Sequence, residues 1–249
     1  MAFLTAVILI IGLCILANMF VGNPVSRIIA SKAAEKYIGE NFEDTPYFVD
    51  KVDYSFEDGR YYARISSPDS IDNHFNISFS PLGEQGYCDY ETLVKNRENT
   101  VYRLNNEYRS SVVPILKKIV KDGDVNGFLD FVLDFGGDAG DNTGCLYASD
   151  LELDGVYDVM ELGRQIGRIS AYILTDDVTP EAAAKYLLAI KKAMDDAGAG
   201  FSEVNLTLRW SDGTVLNPLQ TIYLFDLPYS EIYEENLDKR IQDMIDKAK

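Results

Sequence analysis

Residues 179–210 read TPEAAAKYLLAIKKAMDDAGAGFSEVNLTLRW, and within them the apolar pattern changes from a helical to a strand period. Thr179-Pro180 is typical of the cap and first turn of a helix, and Gly198 is placed to end that helix. Apolar and polar residues then alternate over Val204–Trp210, which predicts a half-buried strand. A helix followed so closely by such a strand predicts an α+β domain.

The residues on either side complete this unit. A strand is predicted over residues 167–174 and another near residues 221–225, and a last helix is predicted from about Ser230. The resulting order is β-α-β-β-α, a small sheet that carries two helices.

A similar unit precedes it. Asn23-Pro24 predicts a helix that runs to about Asn41, and Asp58-Gly59 predicts the tight turn of a hairpin. Period-two patterns then predict strands whose polar residues, His74, Asn76 and Ser78 among them, face outward. The inward-facing residues are predicted to be Tyr61, Ala63, Ile65, Phe75, Ile77 and Phe79.

The end of this first unit is predicted to contain a short fourth strand and a second helix. The strand lies near residues 87–89, and an apolar stripe at helical spacing follows over residues 94–119. Pro114 falls within that stripe, so the helix is predicted to break or kink there.

The stretch Ala2–Val21 carries no charged side chain. A helix of that length, rising about 1.5 Å per residue, covers the ~30 Å hydrocarbon core of a bilayer. A cleaved signal peptide begins with basic residues, whereas this chain has none before Arg27. We therefore predict an uncleaved transmembrane helix. The alternative, a buried core helix, is disfavoured because the stretch is apolar on every face.

The predicted fold class is α+β, with an N-terminal transmembrane helix followed by two small antiparallel-sheet-plus-helix domains. The predicted anchor covers residues 1–22, and the N-terminal domain covers residues 23–121. Residues 122–150 form an Asp/Gly-rich connecting segment, in which a short helix is followed by a loop, and residues 151–249 form the C-terminal domain.

The formal net charge of −17 lies entirely after the apolar stretch. Nucleic-acid binding depends on lysine and arginine side chains that neutralise phosphates, so it is disfavoured for this chain. A cationic partner, a divalent ion or a merely solvated acidic surface fits this charge better.

No sequence motif assigns catalytic, cofactor-binding or metal-binding residues, and we predict none. The lone histidine, His74, has no nucleophile in a recognisable context. Asp122, Asp124 and Asn126 match the first ligands of a calcium loop, but Leu133 occupies the twelfth position, where a bidentate glutamate would be required. A calcium site and a plain turn both stay open.

The chain has three cysteines, and the sequence does not decide whether two of them form a disulfide. Cys14 lies in the predicted membrane helix, whereas Cys88 and Cys145 can pair if the domains face an oxidising space. Two free thiols are an equally ordinary outcome.

Several stretches resemble the YfjL-like proteins, a group of membrane-anchored bacterial proteins. The resemblance implies domains outside the cytoplasm and carries over no catalytic residue. The stretches are GNP at 22–24, KAAEKY at 32–37, SPDSIDNHF at 67–75, NTVYRL at 99–104, and IKK at 190–192 leading to VNLTL at 204–208. The order of a helix followed by a small sheet is also similar to cystatin-like and peptidase-propeptide-type inhibitory modules, by topology alone.

The basic residues that follow the predicted membrane helix, Arg27, Lys32 and Lys36, favour cytoplasmic domains. The family resemblance implies the opposite, and we expect single-pass membrane localisation with extracytoplasmic domains. The expected function is a non-enzymatic binding or regulatory module of the envelope, with a protein, peptide or wall component as partner and no nucleic acid. The alternative is a carboxylate- or calcium-dependent hydrolase.

Overall fold

The computed structural model describes residues 20–117, 119, 128–135, 146–211 and 216–247. Within these residues the chain is an α+β protein with two four-stranded sheets, and it divides into two units. The first unit contains the described residues up to Thr100 together with Leu151–Gly155. The second contains the described residues of Val101–Asp150 and Val156–Lys249. The predicted domain boundaries stay predictions, and most of residues 122–150 lies outside the described ranges.

The first unit packs one helix on an antiparallel sheet. Helix α1 covers Pro24–Asn41, and the sheet has the order β1-β2-β3-β4. The strands are Phe48–Ser55 (β1), Arg60–Ser66 (β2), His74–Phe79 (β3) and Gln85–Cys88 (β4), followed by a π-helical turn at Glu91–Lys95. Helix α2, Glu98–Leu116, has its first three residues in this unit and the rest in the second. It continues through Pro114 rather than breaking there.

Local signals begin α1 as predicted. The Oδ1 atom of Asn23 accepts a hydrogen bond from the Val25 amide at 2.8 Å, and Pro24 lies in the first turn. Ala30, Ala34 and Ile38 recur four residues apart and are buried. They lie with the sheet residues in one hydrophobic core, because positions four apart share one face of a helix.

The strand alternation of the first sheet is largely confirmed. All six residues predicted to face inward, from Tyr61 to Phe79, are buried. Ser78 is also buried, which the alternation does not predict. Its Oγ atom accepts hydrogen bonds from the Tyr87 amide at 2.9 Å and from Arg60 Nε at 3.3 Å, so strand β4 and an arginine satisfy a hydroxyl that was predicted to face solvent.

The predicted transmembrane helix is wrong. None of the helices in the described ranges combines the length and apolar character that crossing a bilayer requires. Helix α1 has 18 residues, and its five charged side chains make it far too polar for a bilayer core. Residues 1–19, on which the prediction rested, lie outside the described residues. The predicted localisation stays a prediction.

The second unit contains a mixed sheet with the order β5-β6-β7-β8. Its strands are Phe128–Leu133 (β5), Gly167–Thr175 (β6), Glu203–Ser211 (β7) and Leu216–Pro228 (β8). Its helices, besides most of α2, are Val159–Ile166 (α3), Pro180–Asp196 (α4) and Leu237–Lys247 (α5), with short 3-10 turns at Ala148–Asp150 and Tyr229–Glu231.

Strands β6 and β7 run parallel, whereas the two outer pairs are antiparallel. The prediction of an antiparallel second sheet is therefore wrong for its central pair. Helix α4 connects β6 to β7, and a helical crossover of this kind returns the chain to the same end of the sheet, which makes the two strands parallel.

Helix α4 forms as its sequence predicts. The Oγ1 atom of Thr179 accepts from the Ala182 amide at 3.2 Å, and Gly198 adopts a φ of +67° immediately after the helix. Leu187, Ile190 and Met194 are fully buried with the inward-facing residues of the sheet. The inward-facing residues are Ile169, Ala171, Ile173, Val204, Leu206, Leu208, Ile222 and Leu224.

Three other expectations for this unit are wrong. Residues 128–133 form strand β5 instead of a short helix, because they pair with β6. Helix α3 was not expected, since its eight residues are too few to show a clear period. The last helix begins at Leu237 rather than near Ser230, and a 3-10 turn precedes it.

Candidate functional site

A cavity of about 430 Å³ lies in the second unit, between α3, the segment that joins α4 to β7, and the end of β8. Three separate stretches of the chain contribute to its wall. We call it the Tyr229 cavity, and its principal side chains are Arg164, Asp195, Phe201, Ser202, Tyr229 and Ser230.

The Tyr229 ring is fixed from several directions. Its hydroxyl donates to Asp195 Oδ1 at 2.8 Å, and its ring meets Phe201 edge-on with centroids 5.1 Å apart. Lys191 Nζ lies 3.9 Å from the ring centroid and donates to the carbonyls of Tyr229 and Ile232 at 3.1 and 2.8 Å. The hydrogen bond to the Asp195 carboxylate raises the pKa of Tyr229. The cavity therefore has a preformed aromatic wall.

Arg164 projects from the last turn of α3. Its Nη1 atom donates to Glu161 Oε2 at 2.7 Å, and its Nη2 atom donates to the Gly198 carbonyl at 2.8 Å. The side chain is half exposed. These two bonds use only part of a guanidinium that carries five N–H groups, so an oriented cation faces the cavity with donors to spare.

Close backbone packing forms the base of the cavity. A Cβ atom on Gly200 would lie 2.1 Å from Arg164 Cγ and 2.6 Å from the Met160 carbonyl oxygen, so only glycine fits there. The Gly200 carbonyl accepts a hydrogen bond from the Tyr108 hydroxyl at 2.7 Å. Tyr108 is fully buried, and burial raises its pKa. The segment that contains Phe201 is thus tied to helix α2.

Ser202 does not have the surroundings of a nucleophile. Its hydroxyl donates to the Gly167 carbonyl at 2.9 Å, and a backbone carbonyl cannot accept the proton that nucleophilic attack would release. The chain's single histidine, His74, belongs to the first unit. The groups around the cavity are suited to hydrogen bonding, charge pairing and stacking rather than to a covalent step.

The metal and carboxylate hypotheses gain no support from the described residues. Within them, no group of three or more His, Cys, Asp or Glu side chains could hold a metal ion. Asp122, Asp124 and Asn126 lie outside the described ranges, so the calcium loop stays a prediction. Hydrogen bonds lower the pKa of Asp58, chiefly from Tyr62, and of Glu161, chiefly from Gln165. Both carboxyls lie on exposed surface rather than in a cavity.

His74 and Cys88 are both half-buried in the first unit. The His74 Nδ1 atom is buried and has no hydrogen-bond partner. Burial lowers the His74 pKa, and Arg64 lowers it further. Cys88 is a free thiol whose pKa burial raises. Cys14 and Cys145 lie outside the described ranges.

A second cavity of about 370 Å³ lies at the start of α4, where Asp176, Asp177 and Trp210 contribute to its wall. Asp177 Oδ1 accepts from the Thr179 hydroxyl at 2.7 Å, and that hydroxyl in turn caps α4. These contacts stabilise the N-terminal end of α4, which accounts for them, and we assign the cavity no role.

Sequence reasoning did not find the residues of the Tyr229 cavity. Arg164 lies in α3, which the sequence does not predict, and Tyr229 lies in a 3-10 turn next to Ser230, where the last helix is predicted to start. Gly163 and Gly167, which stand one helical turn apart, are the signal that could have indicated a close approach of two backbones here.

Comparison with protein families identifies the chain. The model of the YfjL-like N-terminal domain matches residues 1–90, and the model of the YfjL-like C-terminal domain matches residues 107–242. The chain belongs to the YfjL-like family. This confirms the family resemblance and the two-domain organisation, within a family that is uncharacterised. It assigns no activity to the Tyr229 cavity.

Among solved structures, a DUF5037 family protein from Ruminococcus gnavus is similar. It is 14% identical, the match covers 86% of each chain, and the TM-score is 0.26. No curated protein matches the chain.

Proposed function

We propose that the chain is a non-enzymatic binding module that holds the carboxyl-terminal end of a peptide in the Tyr229 cavity. The observation that carries this proposal is the fixed aromatic wall beside an oriented guanidinium. Tyr229 is held by Asp195, Lys191 and Phe201, and Arg164 is held by two hydrogen bonds. A site that is preformed in this way loses little entropy when a ligand binds.

The size and chemistry of the cavity favour a short peptide end. Its volume of about 430 Å³ lies within the range of about 300–1,000 Å³ that is usual for ligand pockets. The planar guanidinium of Arg164 matches a carboxylate, and the Tyr229 ring, which the buried Phe201 supports, offers apolar surface to a side chain next to it.

The acidic charge of the whole chain does not prevent this interaction. Around the cavity, Lys191 and Arg164 balance Asp195 and Glu161, so the local charge is near zero. Charges farther away are screened at physiological salt over about 8 Å.

Binding is favoured over catalysis because the hydroxyl of Ser202 donates to the Gly167 carbonyl, where a nucleophilic serine would donate to a general base. A hydrolase would need a nucleophile or an activated water within reach of the bound peptide.

The experiment is a calorimetric titration of the full chain with N-acetyl-Ala-Phe as the free acid and as the C-terminal amide. We expect the acid to bind and the amide to bind at least about tenfold more weakly, a difference of ~1.4 kcal/mol, because the amide lacks the charge that Arg164 pairs. Equal binding of the two, or no binding of either, would contradict the proposal.

Two arginine variants separate a local effect from a general one. Arg164→Gln removes the guanidinium at the cavity, and we expect it to abolish the preference for the free acid. Arg209→Gln is the matched control, because Arg209 lies on strand β7 and is not part of the cavity wall. A preference that survives in Arg164→Gln would place the carboxylate elsewhere.

A further inference from the structure

The second sheet has one face buried against its own core and another that carries polar and aromatic side chains. Residues 169, 171 and 173 of β6 and 204, 206 and 208 of β7 point into the core. The residues between them alternate to the other face and are only half-buried. Strand β8 lies at the edge of the sheet, and its Tyr223 and Phe225 belong to this second face.

Four side chains on that face form a continuous row of contacts, which we call the aromatic face: Tyr172, Arg209, Tyr223 and Phe225. Arg209 Cζ lies 5.3 Å from the centroid of the Tyr172 ring, and Arg209 Nη2 donates to the Tyr223 hydroxyl at 3.1 Å. The Tyr223 and Phe225 rings stack with centroids 5.8 Å apart and an interplanar angle of 15°. Three neighbouring strands contribute these side chains. Tyr172 of β6 and Tyr223 of β8 both lie opposite Thr207 of β7, so the two rings flank that strand.

The outer end of the aromatic face is exposed. Tyr223 is 49% exposed and Phe225 is 65% exposed. Single exposed apolar residues are ordinary on protein surfaces, but two stacked rings beside an ordered arginine form a rigid apolar platform. Such a platform loses little side-chain entropy when it is covered.

Carboxylates border this platform. Arg168, on the same face of β6, contacts Glu203 through Nε, and its Nη2 atom lies 2.7 Å from Asp134 and 3.9 Å from Asp226. Three carboxylates around one guanidinium leave an excess of two negative charges at Arg168, and with Arg209 counted the whole face keeps an excess of one. The side chains of Asp134 and Asp226 are more than half exposed, so this excess reaches the surface.

We propose that the aromatic face docks a basic segment of a protein partner. The aliphatic stems of its lysine or arginine side chains cover Tyr223 and Phe225, and their charged ends pair with Asp226 and Asp134. A cation placed over an aromatic ring gains further attraction from the ring face. The edge position of β8 lets such a segment approach from the side.

Charge decides between the occupants of this face. Nucleic acid carries phosphates, which the carboxylates would repel. A second copy that docked through the same face would bring two acidic borders together, because a twofold contact places each patch against itself. A chain with a net charge of −17 meets a basic partner with attraction at long range.

The test uses an acetylated and amidated peptide, Lys-Leu-Lys-Leu-Lys, and its matched peptide Glu-Leu-Glu-Leu-Glu, each titrated into the full chain. Because both ends are blocked, the basic peptide offers no carboxylate to Arg164, and its binding is independent of the proposed function. We expect the basic peptide alone to bind, and raising the salt from about 0.05 to about 0.3 M should weaken it.

Phe225→Ser should weaken binding of the basic peptide about tenfold, and Asp226→Asn about threefold, because they remove the platform and a pairing charge. Asparagine is chosen since Asp226 has a φ of +51°, which asparagine tolerates. Tyr102→Ser and Asp53→Asn are the controls, at exposed positions outside this sheet. The Trp210 fluorescence of each variant checks that the domain is folded.

Three outcomes would overturn the proposal. They are equal affinity for the two peptides, binding by Phe225→Ser and Asp226→Asn as tight as that of the controls, and self-association of the chain through a contact that Phe225→Ser abolishes. The last result would assign the face to a second copy.

Discussion

Gly200 sets the shape of the Tyr229 cavity at the scale of one residue. A methyl group there would meet the Met160 carbonyl oxygen and the Arg164 amide nitrogen at 2.6 and 2.7 Å, and backbone atoms in a packed helix cannot move aside cheaply. The neighbouring Gly198 is different, because space around it is open and only its positive φ disfavours a side chain.

Gly200→Ala should lower the free energy of unfolding of the second unit by about 3 kcal/mol, through overpacking against backbone. Gly198→Ala is the matched control and should cost about 1 kcal/mol, the strain of a left-handed alanine. Urea unfolding followed by fluorescence measures this unit, because Trp210 is the chain's single tryptophan. A loss in Gly198→Ala as large as that in Gly200→Ala would refute the packing argument.

His74 gives a prediction for pH. Burial and the nearby Arg64 hold its pKa below the ordinary value of 6.5, so the folded state disfavours the charged imidazole. The unfolded chain therefore binds more protons below about pH 6.5, and the first unit should lose stability as the pH falls through that range. The chain has one histidine, so a single imidazole signal in an NMR titration reports its pKa directly. A midpoint at or above 6.5 would contradict the burial argument.

At the scale of elements, the parts that could be predicted are those whose hydrogen bonds are local. Asn23 and Thr179 cap the helices that follow them, so the starts of α1 and α4 are readable from adjacent residues. Strand β2 alternates throughout, and β3 alternates except at the buried Ser78, because one face of each strand is buried in the core with α1.

The elements that could not be predicted depend on distant partners. The apolar run of β5 suits a helix or a strand equally, and only its pairing with β6 decides between them. The Tyr229 cavity combines α3, the α4–β7 segment and the end of β8, which no local pattern brings together. The alternation predicts that Ser78 faces solvent. It is buried because its hydrogen-bond partners lie on β2 and at β4, which a local pattern does not show.

Lys191 ties helix α4 to the 3-10 turn that contains Tyr229. Lys191→Met should remove two hydrogen bonds and the cation above the ring, and it should lower the stability of the second unit by about 1.5 kcal/mol. Lys192→Met is the control, since Lys192 makes only an exposed ion pair with Asp196. Amide hydrogen exchange at residues 229–232 measures the effect. Equal protection in the two variants would show that Lys191 does not hold the turn.

At the scale of the whole molecule, the first unit is not continuous in sequence. Leu151–Gly155 belongs to it, although these residues follow strand β5 of the second unit. The Asp72 amide donates to Asp154 Oδ1 at 2.8 Å, and the Asp154 amide donates to Asp72 Oδ2 at 3.2 Å. Arg97 Nε donates to the Leu151 carbonyl at 3.0 Å. A prediction that divides the sequence into continuous domains assigns Leu151–Gly155 to the second unit, whose residues lie on both sides of it.

Asp154→Ala should loosen this attachment, because it removes the acceptor for the Asp72 amide and places alanine at a φ of +59°. The expected cost to the first unit is about 1–3 kcal/mol, the penalty for leaving a buried donor unpaired. Asp154→Asn keeps an acceptor and tolerates that φ, so it should retain most of the stability. Hydrogen exchange of the Asp72 amide in the full chain distinguishes the two variants, and similar rates in both would refute this role of the carboxylate.

The most direct test of peptide binding in the Tyr229 cavity is an NMR titration of the labelled full chain with N-acetyl-Ala-Phe free acid. The account predicts that the largest amide shifts fall at residues 198–202 and 229–230, and that they disappear in Arg164→Gln while persisting in Arg209→Gln. Shifts confined to other residues, or shifts that Arg164→Gln leaves unchanged, would contradict it.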